Sequence, residues 1–313
     1  MMTVLITGGT GFIGAHLAST LVAEGKKVVL FELNMNYQLI KDIVDRVELI
    51  QGDVSNWAEV LDVVSKFEIK EIFHTAALLS DNAEKYPMRA YKVNATGTWH
   101  VLEAARQFKV ERVMFTSTNG TYGDHIGPLV SNDAPQFPRI MYGVSKIAGE
   151  RLGEYYYYRY GIDFRGIRFP SVIGPGRGGG GISAYTTLII QQAALGQPYD
   201  IYVNPDTSMP ILYIDDAVKA LLLLSRTPNE QLSRRVYSLK GLVCSASEIV
   251  EEVMRIVPEA SLNYVPDPLI VNLIKYIPNM DDSLSQKDWG WKCDYEQLPA
   301  MVAKFISELR RRS

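Results

Sequence analysis

The stretch "VLITGGTGFIGAHLASTL", residues 4–21, decides the fold. A short apolar run passes at once into Gly8, Gly11 and Gly14, and then into a stretch whose apolar residues recur at helical spacing. A strand can become a helix this abruptly only through a tight turn, which calls for a positive φ and for backbone free of Cβ. The same bareness lets a pyrophosphate lie against amides at the positive end of the helix, with Phe12 and Ile13 supplying backbone between the glycines. A glycine string alone is a weak signal. After the first strand of a βαβ unit, with an acidic residue about 20 positions on, it becomes a strong one for a dinucleotide.

That acid is Glu32, in "LFEL" at the end of the second strand. A carboxylate there accepts from both ribose hydroxyls and repels a 2′-phosphate, and the following "LNMNY" carries no arginine or lysine to receive one. NAD is therefore expected over NADP; the competing reading of Glu32 is a solvated charge at a strand end. Asp53, followed by Val54 in "QGDV", can accept from the adenine amino group or cap the helix that starts near Asn56.

Working outward, short β-branched runs at 3–7, 27–32, 47–51, 71–76, 112–118 and 163–169 alternate with helix-length amphipathic stretches. Near-continuous apolar strands separated by helices imply a parallel sheet covered on both faces, because parallel strands need long crossovers. The fold class expected is α/β, a doubly wound parallel sheet of the Rossmann type, with a smaller irregular C-terminal substrate lobe. Proline and glycine gather at 170–181, 198–210 and 258–268, where the rhythm breaks. The division expected is 1–168 for the NAD domain, with a return segment 209–238, and 169–208 with 239–313 for the lobe. "YIDDAVKALLLLSR" (213–226) reads as an Asp cap followed by a returning helix. The tyrosine run 155–158 lies inside a helix and reads as packing, in the core or between subunits.

Composition narrows the partners. The 313 residues are 47% hydrophobic and 21% charged, an ordinary globular balance, and carry a formal net charge of −3. No basic surplus is available to neutralise a nucleic-acid backbone. Cys244 and Cys293 are too few for a disulfide framework, which fits a reducing, cytoplasmic setting, and His16, His74, His100 and His125 have no metal-ligand spacing. No metal is expected. No apolar run approaches the roughly 18 residues that span a bilayer, and the chain opens on a strand instead of a signal, so it reads as soluble and unprocessed.

The chemistry points to "MYGVSK", where Tyr142 and Lys146 stand four residues apart on one helix face. A free tyrosine titrates near 10, so acting as a base near pH 7 requires its pKa to fall by about 3, roughly 4 kcal/mol. The Lys146 ammonium and a positive nicotinamide ring are suitable perturbers. Such i, i+4 pairs also arise by chance. "FTSTNGTYG" (115–123) adds Ser117, Thr118 and Asn119 at the carboxyl end of a strand, where open α/β sheets bind ligands.

In order, "TGGTGFIG", "GDV", "HTAA", "VNATGT", "FTSTNGTYG", "YGVSK" and "YIDDA" resemble an extended short-chain dehydrogenase/reductase of the NAD-dependent epimerase/dehydratase type. That resemblance covers essentially the whole chain. It implies Tyr142 as general acid/base, Lys146 on the nicotinamide ribose and lowering the phenol, and Thr118 as the catalytic hydroxyl, with Ser117 the off-by-one alternative. It implies Asn94 behind Lys146 at a helix bend, Thr75, Ala76 and Ala77 along the cofactor, and Phe169 beside the nicotinamide. The helices at 86–107 and 141–160 resemble those that pair in family dimers, so a homodimer is expected.

Segments such as 74–99, 141–163 and 277–298 look specifically like the L-threonine dehydrogenase branch. The function this implies is hydride transfer from a small polar secondary alcohol, L-threonine-like, to NAD; the alternative is a nucleotide-sugar 4-epimerase or dehydratase with recycled NAD. In the threonine branch a serine after "AALL", here Ser80, touches the substrate, and a glycine-rich loop closes over it. Here that loop is "GRGGGGISAY" (176–185), with Ile182, Ser183 and Ala184 where the branch reads two threonines and an aspartate before the tyrosine, Tyr185. The departure removes polar contacts to a zwitterion. Arg177 can supply a forked donor to a phosphate or carboxylate, or be a solvated loop residue. The nucleotide-sugar enzymes, for their part, usually carry asparagine where Ser171 stands.

Overall fold

The computed structural model describes residues 2–123 and 129–312; His125 lies outside the described residues. Twelve strands are β1 (Thr3–Thr7), β2 (Lys27–Glu32), β3 (Glu48–Gln51), β4 (Glu71–His74), β5 (Arg112–Thr118), β6 (Asp163–Phe169), β7 (Ser171–Ile173), β8 (Tyr199–Ile201), β9 (Ser208–Tyr213), β10 (Val236–Ser238), β11 (Leu242–Ser245) and β12 (Leu262–Tyr264). Seven form one parallel sheet in the order β10-β6-β5-β4-β1-β2-β3. The order reverses beside β1, at the switch point where such sheets bind ligands.

Alternate strand residues feed two separate cores. Val4 and Ile6, Val28 and Leu30, and Met114 pack on one face, while Leu5, Val29, Phe31, Val113 and Phe115 pack on the other. Both faces are therefore covered, as the near-continuous apolar runs require. The helix Met141–Tyr160 lies unusually close to the sheet: a Cβ on Gly149 would stand 2.7 Å from the Phe115 ring, and one on Gly153 2.2 Å from Phe164. This contact fixes the height of everything that the helix carries.

The return segment joins the sheet through β10 and the helix Ile214–Arg226. Arg165, fully enclosed in β6, donates to the carbonyls of Leu224 and Thr227 at 2.6 Å each and is paired with Asp163. A cation at the negative end of a helix in such a partly buried setting contributes about 1–2 kcal/mol. The expected Asp cap of this helix is not formed. Tyr213 occupies the cap position, and Asp216 in the first turn instead accepts from Cys293 Sγ and the amides of Asp294 and Tyr295, tying down the C-terminal segment.

Beyond the main sheet, β11-β9-β7 form a three-stranded sheet and β12-β8 a two-stranded one. The helix expected at 86–107 is divided into Pro87–Tyr91, a π-turn at Lys92–Thr96, and Gly97–Gln107. Asn94 sits in that π-turn. Its side chain accepts from Leu78 N (2.7 Å) and donates to Leu78 O (3.0 Å) and Ser145 Oγ (2.9 Å). Three segments meet on one amide.

The strand expected to run through 76 ends at His74. Thr98 Oγ1 donates to Asn94 O, so the His74 Nε2–H donates to Thr98 Oγ1 (3.0 Å) and Nδ1 accepts from Thr7 Oγ1 (2.6 Å). That arrangement holds one ring proton and leaves no acceptor for a second. Burial, and then the Lys146 charge, push the imidazole down to about 3. Below pH 6.5 the unfolded chain thus binds a proton that the folded chain refuses until about pH 3, and stability falls across that window. We expect the urea midpoint of the protein to fall more steeply between pH 7 and 5 than that of His74→Gln, by about one proton's worth of slope. Parallel profiles would contradict this.

Candidate active site

A cavity of about 590 Å³ runs along the carboxyl ends of the strands, lined successively by residues following β1, β2, β3, β4, β5 and β6. At one end is the glycine turn. Gly8 adopts φ +69°, and a Cβ there would stand 2.7 Å from Ala76 N, while one on Gly14 would stand 2.2 Å from Gly8 O. Gly11 N donates to Gly8 O (3.0 Å) and caps the helix Phe12–Ala23, whose first turn carries no acidic side chain. The positive helix end has no side-chain cap where Phe12 and Ile13 line the cavity. This fits the pyrophosphate of NAD.

Glu32 lines the cavity, with Oε1 accepting from Leu33 N at 2.8 Å. Burial raises its carboxyl, and the Leu33 and Asn34 amides oppose that rise. A Cβ on Gly11 would come within 4.0 Å of Glu32 Oε2, so the carboxylate overhangs the turn. Asp53 does not cap the next helix. Asn56 does, accepting from Ala58 N, whereas Asp53 accepts from Ser55 N (2.8 Å) and lines the cavity with Val54. Thr75, Ala76 and Ala77 follow, with Thr75 Oγ1 donating to Thr7 O at 2.8 Å, and Phe169 closes the wall at the end of β6.

At the other end the helix Met141–Tyr160 presents Tyr142, Lys146 and Glu150, each one turn after the last. Tyr142 lines the cavity, and its hydroxyl has no hydrogen-bond partner among the described residues. Lys146 does not line the cavity. It is fully enclosed behind Tyr142, with Nζ donating to Thr116 O at 2.7 Å and lying 5.7 Å from the centre of the Tyr142 ring. Burial pulls the ammonium down to about 7, against the pull of Glu150.

The expectation that Lys146 lowers the phenol needs correction for the protein alone. Burial pushes Tyr142 up, and the cation that offsets this is Arg177. Glu150 is fully enclosed; burial would raise its carboxyl, but the ion pair with Arg168 (2.8 Å) and the bond from Ser117 Oγ (2.5 Å) hold it below the usual range. Ser117 is thereby directed into the Glu150 network. Thr118 lines the cavity, and its Oγ1 accepts from Gly120 N at 3.1 Å. Asn119 also lines it, yet its amide donates to Pro278 O (2.8 Å), which binds the C-terminal lobe to the end of β5.

The glycine-rich loop forms the roof. Gly181 adopts φ +89°; its amide donates to Asp81 Oδ1 (2.8 Å), and the next amide, of Ile182, donates to Ser80 Oγ (3.0 Å). Ser80 lines the cavity and pins the loop with the same hydroxyl. Arg177 and Ser183 line it together, joined by Nη2 to Oγ at 2.7 Å. Tyr185 is not part of this wall: it is fully buried below the loop, with its hydroxyl directed to Thr207 O. Asn94, likewise, stands behind the cavity.

Several wall residues escaped the sequence reading. Thr10, whose hydroxyl accepts from Asn36 N, lies within the glycine turn, and Ile140 immediately precedes Tyr142's helix; adjacency to a motif was their signal. Leu79, Arg89, Met209 and Ile277 also line the cavity. Met209 and Ile277 arrive from distant segments and had no local signal.

Residues 4–239 match the family model described as the NAD dependent epimerase/dehydratase family. The mitochondrial L-threonine 3-dehydrogenase of Bos taurus is 36% identical over 312 residues, covering 97% of this chain and 82% of the relative. An uncharacterized epimerase/dehydratase of Staphylococcus haemolyticus is 34% identical over 266 residues, covering 82% of each chain. Among solved structures, a GalE-like L-threonine dehydrogenase from Cupriavidus necator, in its holo form, superposes with a TM-score of 0.91 at 30% identity over 98% of this chain and 99% of that one. A glycine cradle, an acid overhanging it and a matching family model over most of the length converge on one assignment. The chain is an enzyme that belongs to the NAD-dependent epimerase/dehydratase family, in the extended short-chain dehydrogenase/reductase class, with NAD as its cofactor.

Proposed function

We propose that the chain uses NAD to oxidise the secondary alcohol of a small polar substrate of the L-threonine type. The observation that carries this reading is a single cavity in which the partnerless Tyr142 hydroxyl and Thr118 stand at one end and the glycine turn and Glu32 at the other. The named activity of the bovine and Cupriavidus relatives supports the choice over sugar epimerisation. Residues 1–168 with 209–238 then form the cofactor domain, and 169–208 with 239–313 the substrate lobe, stitched together by β9, which pairs with β7 and β11 of the lobe.

When bound, NAD supplies the hydride acceptor. Tyr142 Oη takes the hydroxyl proton of the substrate, and Thr118 Oγ1 holds the same oxygen against the phenol. Lys146, anchored by Thr116 O, supplies a positive charge behind the phenol. Gly8, Gly11, Phe12, Ile13 and Gly14 hold the pyrophosphate, Glu32 the adenosine ribose, and Asp53 and Val54 the adenine. Ser80 and Ser183 face the substrate from the roof.

Assembly and compartment follow from exposed surface and from sulfur. Met88, Trp99, Tyr155 and Tyr158 stand exposed on the helices Pro87–Tyr91, Gly97–Gln107 and Met141–Tyr160, which supports pairing with a second copy of the chain. Cys244 and Cys293 are both free, which supports a reducing compartment, in our reading the cytosol.

Purified protein should form net NADH with L-threonine or a close secondary alcohol and should not interconvert UDP-glucose and UDP-galactose. Tyr142→Phe should lower kcat by about 10²–10⁴ while leaving the Kd for NAD within a few fold; undiminished turnover would contradict the role. Glu32→Ala should relax the coenzyme preference, raising kcat/KM with NADP relative to NAD by at least about tenfold. An unchanged ratio would remove Glu32 from the ribose.

A further inference from the structure

Arg177, half-buried in the cavity wall, differs from the enclosed arginines. Arg165 is paired with Asp163, Arg168 with Glu150, and Arg235 lies 3.6 Å from Asp163. Arg177 has no carboxylate within ion-pair distance among the described residues. Nη1 donates to Ser171 Oγ (3.0 Å) and Val172 O (2.8 Å), and Nη2 to Ser183 Oγ (2.7 Å). These neutral acceptors orient the fork without cancelling its charge. Burial draws the guanidinium down to about 10, so it remains a cation at neutral pH. A half-buried charge in a cavity wall is partly desolvated without a counter-ion, and a ligand that brings the opposite charge offsets that cost.

The cavity points the same way. Among the described residues its carboxylates are Glu32 and Asp53, toward the end that holds the glycine turn. Asp81, the acid nearest the roof, does not line the cavity and is bonded to Gly181 N. Among the described residues the roof above Tyr142 therefore offers the Arg177 cation and no carboxylate, while Arg89, the other cation of the wall, is an exposed residue of the helix Pro87–Tyr91. A substrate ammonium there would find hydroxyls and backbone, whereas a substrate carboxylate would find a planar fork suited to bidentate pairing.

We propose that Arg177 receives a carboxylate of the substrate and that the substrate class is the 3-hydroxy acids, for which an α-ammonium is dispensable. This rests on the dehydrogenase reading above. The des-amino analogue of L-threonine, 3-hydroxybutanoate, keeps the carbon skeleton, the alcohol and the carboxylate. It should be oxidised at least about as well.

The test follows NADH formation by the wild type, Arg177→Lys and Arg177→Met with L-threonine, each enantiomer of 3-hydroxybutanoate, the neutral 3-hydroxybutanamide, and sn-glycerol 3-phosphate. We expect kcat/KM for the better 3-hydroxybutanoate enantiomer to lie within about tenfold of that for L-threonine, or above it. Arg177→Met should raise KM for both acids on the order of 10²-fold, with little change in KM for the amide and in Kd for NAD, and Arg177→Lys should fall between. Should Arg177→Met fail to fold, the wild type alone decides, because the amide must then be at least about tenfold poorer than the acid.

L-threonine preferred by more than about tenfold overturns the proposal. So does an equal rise in KM for acid and amide in Arg177→Met, which would make Arg177 a staple of the loop. Turnover confined to sn-glycerol 3-phosphate would replace carboxylate by phosphate. If no small alcohol yields NADH while UDP-sugars are interconverted by a Tyr142-dependent route, the dehydrogenase reading itself fails, and this proposal with it.

Discussion

The ammonium of Lys146 is sealed inside the protein, and the candidate site is arranged around that constraint. Nζ donates to Thr116 O, the ring of Phe115 lies 4.7 Å away, and Glu150 stands one turn deeper with Arg168 paired to it. Close packing of Gly149 and Gly153 against Phe115 and Phe164 holds the whole helix at this depth. Burial acts on both members of the pair in the same sense, disfavouring charge: it lowers Lys146 to about 7 and raises Tyr142. The bare protein is thus a poor base. In the proposed mechanism Tyr142 accepts the proton only in the loaded enzyme, where NAD would supply both a positive charge and the hydride acceptor.

The same economy of charge runs through the roof of the cavity. Ser80 and Asp81 take the amides of Ile182 and Gly181, which leaves the loop's one guanidinium turned toward the cavity. Its neighbours are hydroxyls and a carbonyl, and its field already opposes the burial of Tyr142. Occupation of the site by an anion would neutralise that field. Substrate recognition and phenol acidity would then be linked through a single side chain, a coupling that no sequence motif announces.

Much of the frame was legible because it is local. Six strands begin within a residue of where β-branched runs placed them, since alternation and short length are written in consecutive residues. The glycine turn and the Tyr142–Lys146 spacing are likewise local, and all but three of the named site residues line one cavity or its turn. The exceptions, Lys146, Asn94 and Tyr185, differ in kind: Lys146 and Asn94 stand behind the wall, whereas Tyr185 is carried away by the helix Tyr185–Ala194. What stayed hidden depends on long-range partners. The Asp cap read in "YIDDA" is not formed, and Asp216 ties down residues 293–295; Asn119, read as a ligand-binding residue, holds Pro278, 159 residues away. Asn56, not Asp53, caps the helix it precedes, because the Asp53 carboxylate is taken up by Ser55 N. Neither the absence of a carboxylate beside Arg177 nor the arrival of Met209 and Ile277 could be read from spacing.

The most direct test is an ultraviolet titration of the Tyr142 phenol, read as the difference between wild type and Tyr142→Phe protein, with and without saturating oxidised NAD. We predict no tyrosinate at position 142 up to about pH 10 in the free protein, and its appearance at a pH lower by about 2 or more with NAD bound. A phenol that already ionises near neutrality without NAD, or one whose ionisation NAD leaves unmoved, would contradict this mechanism.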